Sequence, residues 1–237
     1  MSRAAAVWPP AIHRSPLQAV LFDMDGLLID SEPLWFEVES AVMARLGGEW
    51  TPEDQYALVG GSLEASLDYL LARAAEPAPR EQVARWMVDG MTDLLRERGV
   101  HVLPGARELL AEARNLGLRT VIASNTYWRD AESYWDDFRG LELAQHIDAI
   151  VTSVDAGHLK PHPAVFELAI KAAGVPAERC VVIGNREEND VLPAIALGMR
   201  TILVHPDDPT PESSRADAVA PDLWAAAQAL RDMLQKP

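Results

Sequence analysis

Residues 19–30 read Ala-Val-Leu-Phe-Asp-Met-Asp-Gly-Leu-Leu-Ile-Asp, an apolar run that stops at two aspartates one residue apart, followed by a glycine. Ala19 to Phe22 are continuously apolar rather than alternating, the pattern of a strand covered on both faces in a parallel sheet. Asp23 then stands at the strand's C-terminal edge, where the loops of an open α/β sheet spread apart and leave a crevice for ligands. Gly26 lets the backbone turn, so Asp23 and Asp25 can converge on one small site. Carboxylates held that close repel, and a neighbouring cation or a shared proton must offset the repulsion. A hard divalent ion with oxygen ligands, Mg²⁺, suits that role. Asp and Gly are also ordinary turn residues, so this string alone reads equally as a turn.

Downstream, the pattern divides in two. Over 33–46, Leu34, Val38, Ala41, Val42 and Leu46 recur at helical spacing and Gly47-Gly48 stops them. Thr51 opens another helical stretch, Gly60-Gly61-Ser62 breaks the chain, and 63–74 and 81–98 are again helical. No strand pattern interrupts 33–98, which predicts a helical cap over 31–98 inserted between the first strand and the rest, with 28–30 and 99–103 as linkers. Trp35, Trp50 and Trp86 read as its core.

From Pro104 onward helices at 105–116, 128–139, 163–173 and 190–197 alternate with strands at 118–123, 149–152, 180–183 and 201–204. This alternation predicts a doubly wound, Rossmann-like parallel sheet with right-handed crossovers over 17–30 and 99–237. A closing amphipathic helix at 223–234 follows a Pro/Asp/Ser-rich stretch at 206–214, and residues 1–16 read as a disordered lead-in.

Composition sets outer bounds. At 237 residues, 49% hydrophobic and 24% charged, the chain is long enough for an α/β domain plus a smaller companion. Net charge is −15, which opposes nucleic-acid binding by long-range attraction. The single Cys180 sits in an apolar run and excludes a disulfide framework. Neither a signal h-region nor a membrane-length apolar run is present, so a cytoplasmic protein without a membrane partner is expected.

Each later strand should deliver its last residues to the edge where Asp23 stands. The second core strand ends in Ser124-Asn125-Thr126, whose donors ahead of a helix make a small anion site, though Ser and Asn are also common helix caps. Lys160 lies in the loop SVDAGHLKPHP before the next helix, where it can neutralise both carboxylates and a bound phosphate; a solvated surface lysine is the ordinary alternative. The fourth strand ends in Gly184-Asn185-Arg186-Glu187-Glu188-Asn189-Asp190, a cluster of oxygen ligands that also resembles a helix cap.

These four corners, in this order, resemble the haloacid dehalogenase superfamily over roughly residues 18–205. The string FDMDGLLIDSEPLW is similar to its sugar-phosphate phosphatase and β-phosphoglucomutase branch. The resemblance implies that Asp23 attacks phosphorus, that Asp25 protonates the leaving alcohol and then activates water, and that the backbone carbonyl of Asp25 binds Mg²⁺. Ser124 and the amide of Asn125 would hold the phosphoryl oxygens and Lys160 would stabilise their charge. Haloacid dehalogenases proper lack the second aspartate, so Asp25 favours phosphoryl transfer.

Three departures refine this. The mutases place an arginine after the cap's Gly-x-Ser to hold a second phosphate and a histidine where this chain has Trp35; here Leu63 follows Gly61-Ser62. Hydrolysis of a small phosphorylated sugar or polyol is therefore expected ahead of a phosphosugar mutase. The third is Asn185, which replaces an aspartate metal ligand; Asp190 matches the second aspartate of that motif. Asn185 keeps a ligating oxygen but loses a negative charge, which leaves open a metal-impaired or non-catalytic binding protein.

Overall fold

The computed structural model describes residues 16–58, 63–126, 129, 131–205 and 214–235. Residues 1–15 of the expected lead-in, the Gly60-Gly61-Ser62 break, Trp128 and residues 206–213 lie outside the described residues. The chain begins with β1 (Ala19–Phe22), β2 (Ile29–Asp30), α1 (Glu32–Arg45), α2 (Pro52–Leu58), α3 (Leu63–Arg73) and α4 (Arg80–Arg98). It continues through β3 (His101–Val102), α5 (Ala106–Asn115), β4 (Arg119–Ser124), α6 (Ala131–Gly140), β5 (Ala149–Thr152), α7 (Ser153–Ala156) and α8 (Ala164–Ala173). The remaining elements are β6 (Cys180–Gly184), α9 (Leu192–Ala196), β7 (Arg200–Val204), β8 (Ala218–Ala220) and α10 (Leu223–Gln235).

The apolar run of β1 lies inside a six-stranded parallel sheet of order β5-β4-β1-β6-β7-β8. Its unbroken hydrophobicity follows from burial on both sides. Val20 and Phe22 pack with Leu109, Leu110 and Leu230 of α5 and α10, whereas Ala19 and Leu21 pack with Val165, Phe166 and Ala169 of α8. Each large side chain so buried contributes roughly 1.5–3 kcal/mol of transfer free energy. Cys180 lies in the second of these cores, and burial pushes its thiol up to about 11, as expected of an inert core cysteine.

Helices α1–α4 enclose a third core, in which Val42, Met43, Leu70, Val83 and Met87 are fully or almost fully buried and to which Trp50 belongs. Trp35 and Trp86 are only partly buried, Trp86 beneath the Arg45 guanidinium at 5.2 Å. None of the described helices is long and apolar enough to cross a membrane.

Three local expectations need correction. Residues 28–30 and 99–103 are not plain linkers: β2 and β3 pair antiparallel, Ile29 opposite Val102 and Asp30 opposite His101. Two residues are too few to show a period-2 pattern, and their pairing depends on the four intervening helices returning the chain. Strand β8, three residues long, is likewise too short to show a pattern. The helix expected at 190–197 starts only at Leu192, after a wide π-type turn over Glu187–Val191. Within that turn the Val191 N–H reaches the Arg186 carbonyl five residues back at 3.4 Å, and Asp190 folds back on Arg186, donating its N–H to the same carbonyl at 2.9 Å and accepting the Arg186 N–H on its carboxylate at 3.1 Å.

Glu39 of α1 is 4% exposed, and its Oε2 has no hydrogen-bond partner among the described residues. Burial, reinforced by repulsion from Glu32, pushes its carboxyl up from 4.5 to about 8. The folded chain keeps Glu39 protonated where the unfolded chain ionises it, so stability is full below pH 4.5, declines as pH rises and levels off above about 8. Glu39→Gln is expected to raise stability near pH 7.5 by about 1–3 kcal/mol and to flatten this decline. Thermal unfolding between pH 4.5 and 8 checks it, and an unchanged slope in the variant refutes it.

Candidate active site

The C-terminal ends of β1, β4, β5 and β6 bring the four motif segments to one place. Asp23 follows β1, and its N–H bonds the Ile183 carbonyl of β6 at 2.9 Å, which ties the first motif to the neighbouring strand. Lys160, with a side chain only 2% exposed, reaches this edge and places Nζ 2.7 Å from Asp23 Oδ1 and 2.7 Å from Asp190 Oδ1. Burial alone would lower the lysine's pKa, but Asp190 and Asp23 outweigh it and hold the ammonium charged.

The lysine is positioned through its backbone. Asn125 accepts the Lys160 N–H on Oδ1 at 2.7 Å and donates Nδ2 to the Lys160 carbonyl at 3.0 Å. The Asn125 side chain therefore anchors the loop that carries the cation. Next to it, Thr126 and Ser153 join β4 to the start of α7: the Thr126 N–H bonds Ser153 Oγ at 2.8 Å and Ser153 Oγ bonds back to the Thr126 carbonyl.

Asp25 is gripped from two sides. Ser31 Oγ donates to Oδ1 at 2.6 Å, and Ser124 Oγ, itself fully buried, donates to Oδ2 at 3.3 Å. Burial raises the Asp25 carboxyl to about 6; the Ser31 hydrogen bond opposes this, and the charges of Asp23 and Glu32 add to it. A carboxyl held near neutrality can both give and take a proton.

Ser31 stands at the position preceding α1, where serine commonly caps a helix, yet it makes no side-chain capping bond. Its hydroxyl is turned to Asp25 instead.

Asn185 stands beside these carboxylates. Asn185 Nδ2 lies 3.4 Å from the Asp25 carbonyl, while Asn185 Oδ1 is buried without a hydrogen-bond partner among the described residues. Gly26, at φ 73°, permits this approach, since a Cβ there would stand 2.7 Å from Asn185 Nδ2. Among the described residues no three His, Cys, Asp or Glu form a metal-holding group. The orphaned amide oxygen, the Asp25 carbonyl and the Asp23 carboxylate nevertheless form a set of hard oxygen donors, which fits Mg²⁺ chemistry. Asp190 is engaged on both carboxylate oxygens, by Lys160 and by the Arg186 N–H.

All seven residues singled out from the sequence thus meet in one connected network. Several others were missed. Ser31 stands in the sequence only within the string FDMDGLLIDSEPLW, with no role read for it, and Trp35, read as core, lines a cavity beside Asp25 together with Arg129, Tyr134 and Asp137. Arg129 precedes α6 and Tyr134 and Asp137 lie on it; their spacing is ordinary helix patterning, which carries no signal of the cavity.

Comparison with known proteins identifies the family. The family description "haloacid dehalogenase-like hydrolase" matches residues 17–198. Hexitol phosphatase B of Escherichia coli is 32% identical over 197 residues, spanning 82% of this chain and 85% of that protein. Phosphorylated carbohydrates phosphatase of Thermotoga maritima is 29% identical over 171 residues, 70% of this chain and 75% of the other. Among solved structures, CbbY from Rhodobacter sphaeroides in complex with phosphate superposes with a TM-score of 0.68 at 24% identity, covering 87% of this chain and 95% of that one, a likeness of fold. A match running from the first strand past the Asp190 turn takes in every corner of the network around Asp23, and the chain belongs to the haloacid dehalogenase-like hydrolase family.

Proposed function

We propose that this protein is a phosphatase that hydrolyses a small phosphate monoester, a sugar or polyol phosphate, through an aspartyl-phosphate on Asp23. The observation that carries the reading is the Lys160 ammonium held 2.7 Å from Asp23 at a strand end where Asp25 stands ready as acid and base. The Asp23 oxygen not bonded to Lys160 attacks phosphorus as the ester P–O bond breaks, and Asp25 gives its proton to the departing alcohol. Asp25, now a carboxylate, takes a proton from water as that water attacks phosphorus, which releases inorganic phosphate and restores Asp23. Ser124 and the backbone N–H of Asn125 hold phosphoryl oxygens, and Lys160 offsets their charge. Helices α1–α4 act as a cap over this edge, joined to it through the β2–β3 ribbon.

Asp23, the Asp25 carbonyl and Asn185 would hold Mg²⁺, with Asp190 behind them fixing Lys160. When bound, the ion neutralises part of the charge on the phosphoryl group. The hexitol phosphatase and carbohydrate phosphatase likenesses support the substrate class. The mutase reading requires a grip on a second phosphate, and Leu63, at the start of α3, cannot supply one.

Asn185 supports a second reading, a family member weakened in metal binding, because its amide donates to the carbonyl that a metal would use and brings no charge. Asn185→Asp is expected to tighten Mg²⁺ binding about tenfold or more, by adding ligand charge. A calorimetric Mg²⁺ titration of both proteins, run beside a panel of phosphate esters, checks this. Metal-dependent phosphate release by the wild type supports the enzyme, and release from no ester by either protein overturns it. Unchanged metal affinity in Asn185→Asp removes Asn185 from the metal site.

A further inference from the structure

The cavity that Asp25 borders is walled by Trp35 of α1, Met91 and Leu95 of α4, and Arg129, Tyr134 and Asp137. If Asp25 protonates the leaving alcohol, that alcohol must lie within hydrogen-bond reach of it, and among the described residues this cavity adjoins the carboxyl. The cavity's chemistry is then the chemistry of the leaving group. Its walls are mostly apolar, and its one guanidinium is already matched. Arg129 Nη1 lies 2.5 Å from Asp137 Oδ2, its Nη2 donates to the Ser133 carbonyl, and its guanidinium carbon sits 4.4 Å from the centre of the Tyr134 ring. The Arg129 side chain is 14% exposed and that of Asp137 35%, so the guanidinium end of the pair is the one held away from water.

We propose that Arg129 and Asp137 are specificity residues that restrict the enzyme to esters whose leaving alcohol is uncharged. The proposal rests on the phosphatase reading, which places the alcohol in this cavity. A carboxylate or second phosphate entering here leaves water for apolar walls, a costly transfer without a cation to receive it. Arg129 could receive it through a bidentate contact, but Asp137 holds that guanidinium and adds a repelling charge of its own. A neutral polyol meets no such barrier: its carbon face lies on Trp35 and Tyr134, and the other Asp137 oxygen can accept from a hydroxyl.

The test compares glycerol 1-phosphate with 3-phosphoglycerate, which differ by a hydroxymethyl in place of a carboxylate, by kcat/KM on the full chain with Mg²⁺. The wild type is expected to favour glycerol 1-phosphate about tenfold or more, the scale set by an unfavourable charge contact. Asp137→Asn, with folding checked by circular dichroism, is expected to narrow that preference about tenfold by releasing Arg129. Adding Arg129→Gln to it is expected to restore the preference. Equal or reversed preference in the wild type overturns the proposal whether or not the variants fold. So does an unchanged ratio in folded Asp137→Asn. Absence of turnover on every ester overturns the phosphatase reading and this inference with it, whereas turnover with the wrong preference overturns this inference alone.

Discussion

Asp23→Asn is expected to lower phosphate release by about a thousandfold or more, because an amide oxygen cannot form the acyl-phosphate on which both half-reactions depend. The substitution is nearly isosteric. It leaves Lys160 paired with Asp190 at 2.7 Å, so the fold should persist and the loss should read as chemistry. Phosphate release measured beside circular dichroism separates the two, and a folded Asp23→Asn protein with wild-type turnover would show that the nucleophile lies elsewhere. Incubation with substrate should also leave a phosphoryl group on the wild type and none on the variant, a readout independent of steady-state rate.

The second large effect concerns stability. Lys160→Met removes the cation between two buried carboxylates, Asp23 at 8% and Asp190 at 1% exposure. Breaking a buried pair by deleting one partner leaves uncompensated charge, which costs about 3–5 kcal/mol. For a chain of this size that corresponds to a fall in Tm of roughly 6–20 °C. Asp190→Asn in the same background should recover much of the loss, because the repulsion between the carboxylates disappears. Thermal unfolding of wild type, single and double variants measures the coupling. If Lys160→Met unfolds within about a degree of the wild type, the ion pair contributes no net stability, as some buried pairs do not. Catalysis should fall in both variants, since neither retains the lysine charge that helps offset the phosphoryl oxygens.

The part of the site that sequence reading reaches is the part governed by strand ends. Asp23, Ser124, Lys160 and Asn185 each follow an apolar run whose covered faces demand a parallel sheet, and parallel strands deliver their C-terminal ends to one edge. Proximity of the four motifs therefore follows from topology alone. The partner chosen by each side chain does not. Asn125 could cap a helix or bind an anion on sequence grounds, but it holds the Lys160 backbone at both the N–H and the carbonyl. Ser31 stands where a serine ordinarily caps a helix, yet its hydroxyl goes to Asp25. In both cases a local bond competed with a distant one, and only the returning chain offers the distant partner.

Residues 19–22, the two aspartates after them and the βα alternation from Pro104 determined the sheet, its functional edge and the residue types gathered there, because hydrophobic periodicity is a local property that a linear pattern records. The tertiary structure alone decided that Lys160 bridges Asp23, 137 residues away, to Asp190, that Asn185 turns its amide to the Asp25 carbonyl, and that Arg129 is matched by Asp137 beside Asp25. Such contacts depend on where folding returns the chain and on which polar groups burial leaves within reach of one another, and neither quantity is written in the spacing of residues along it.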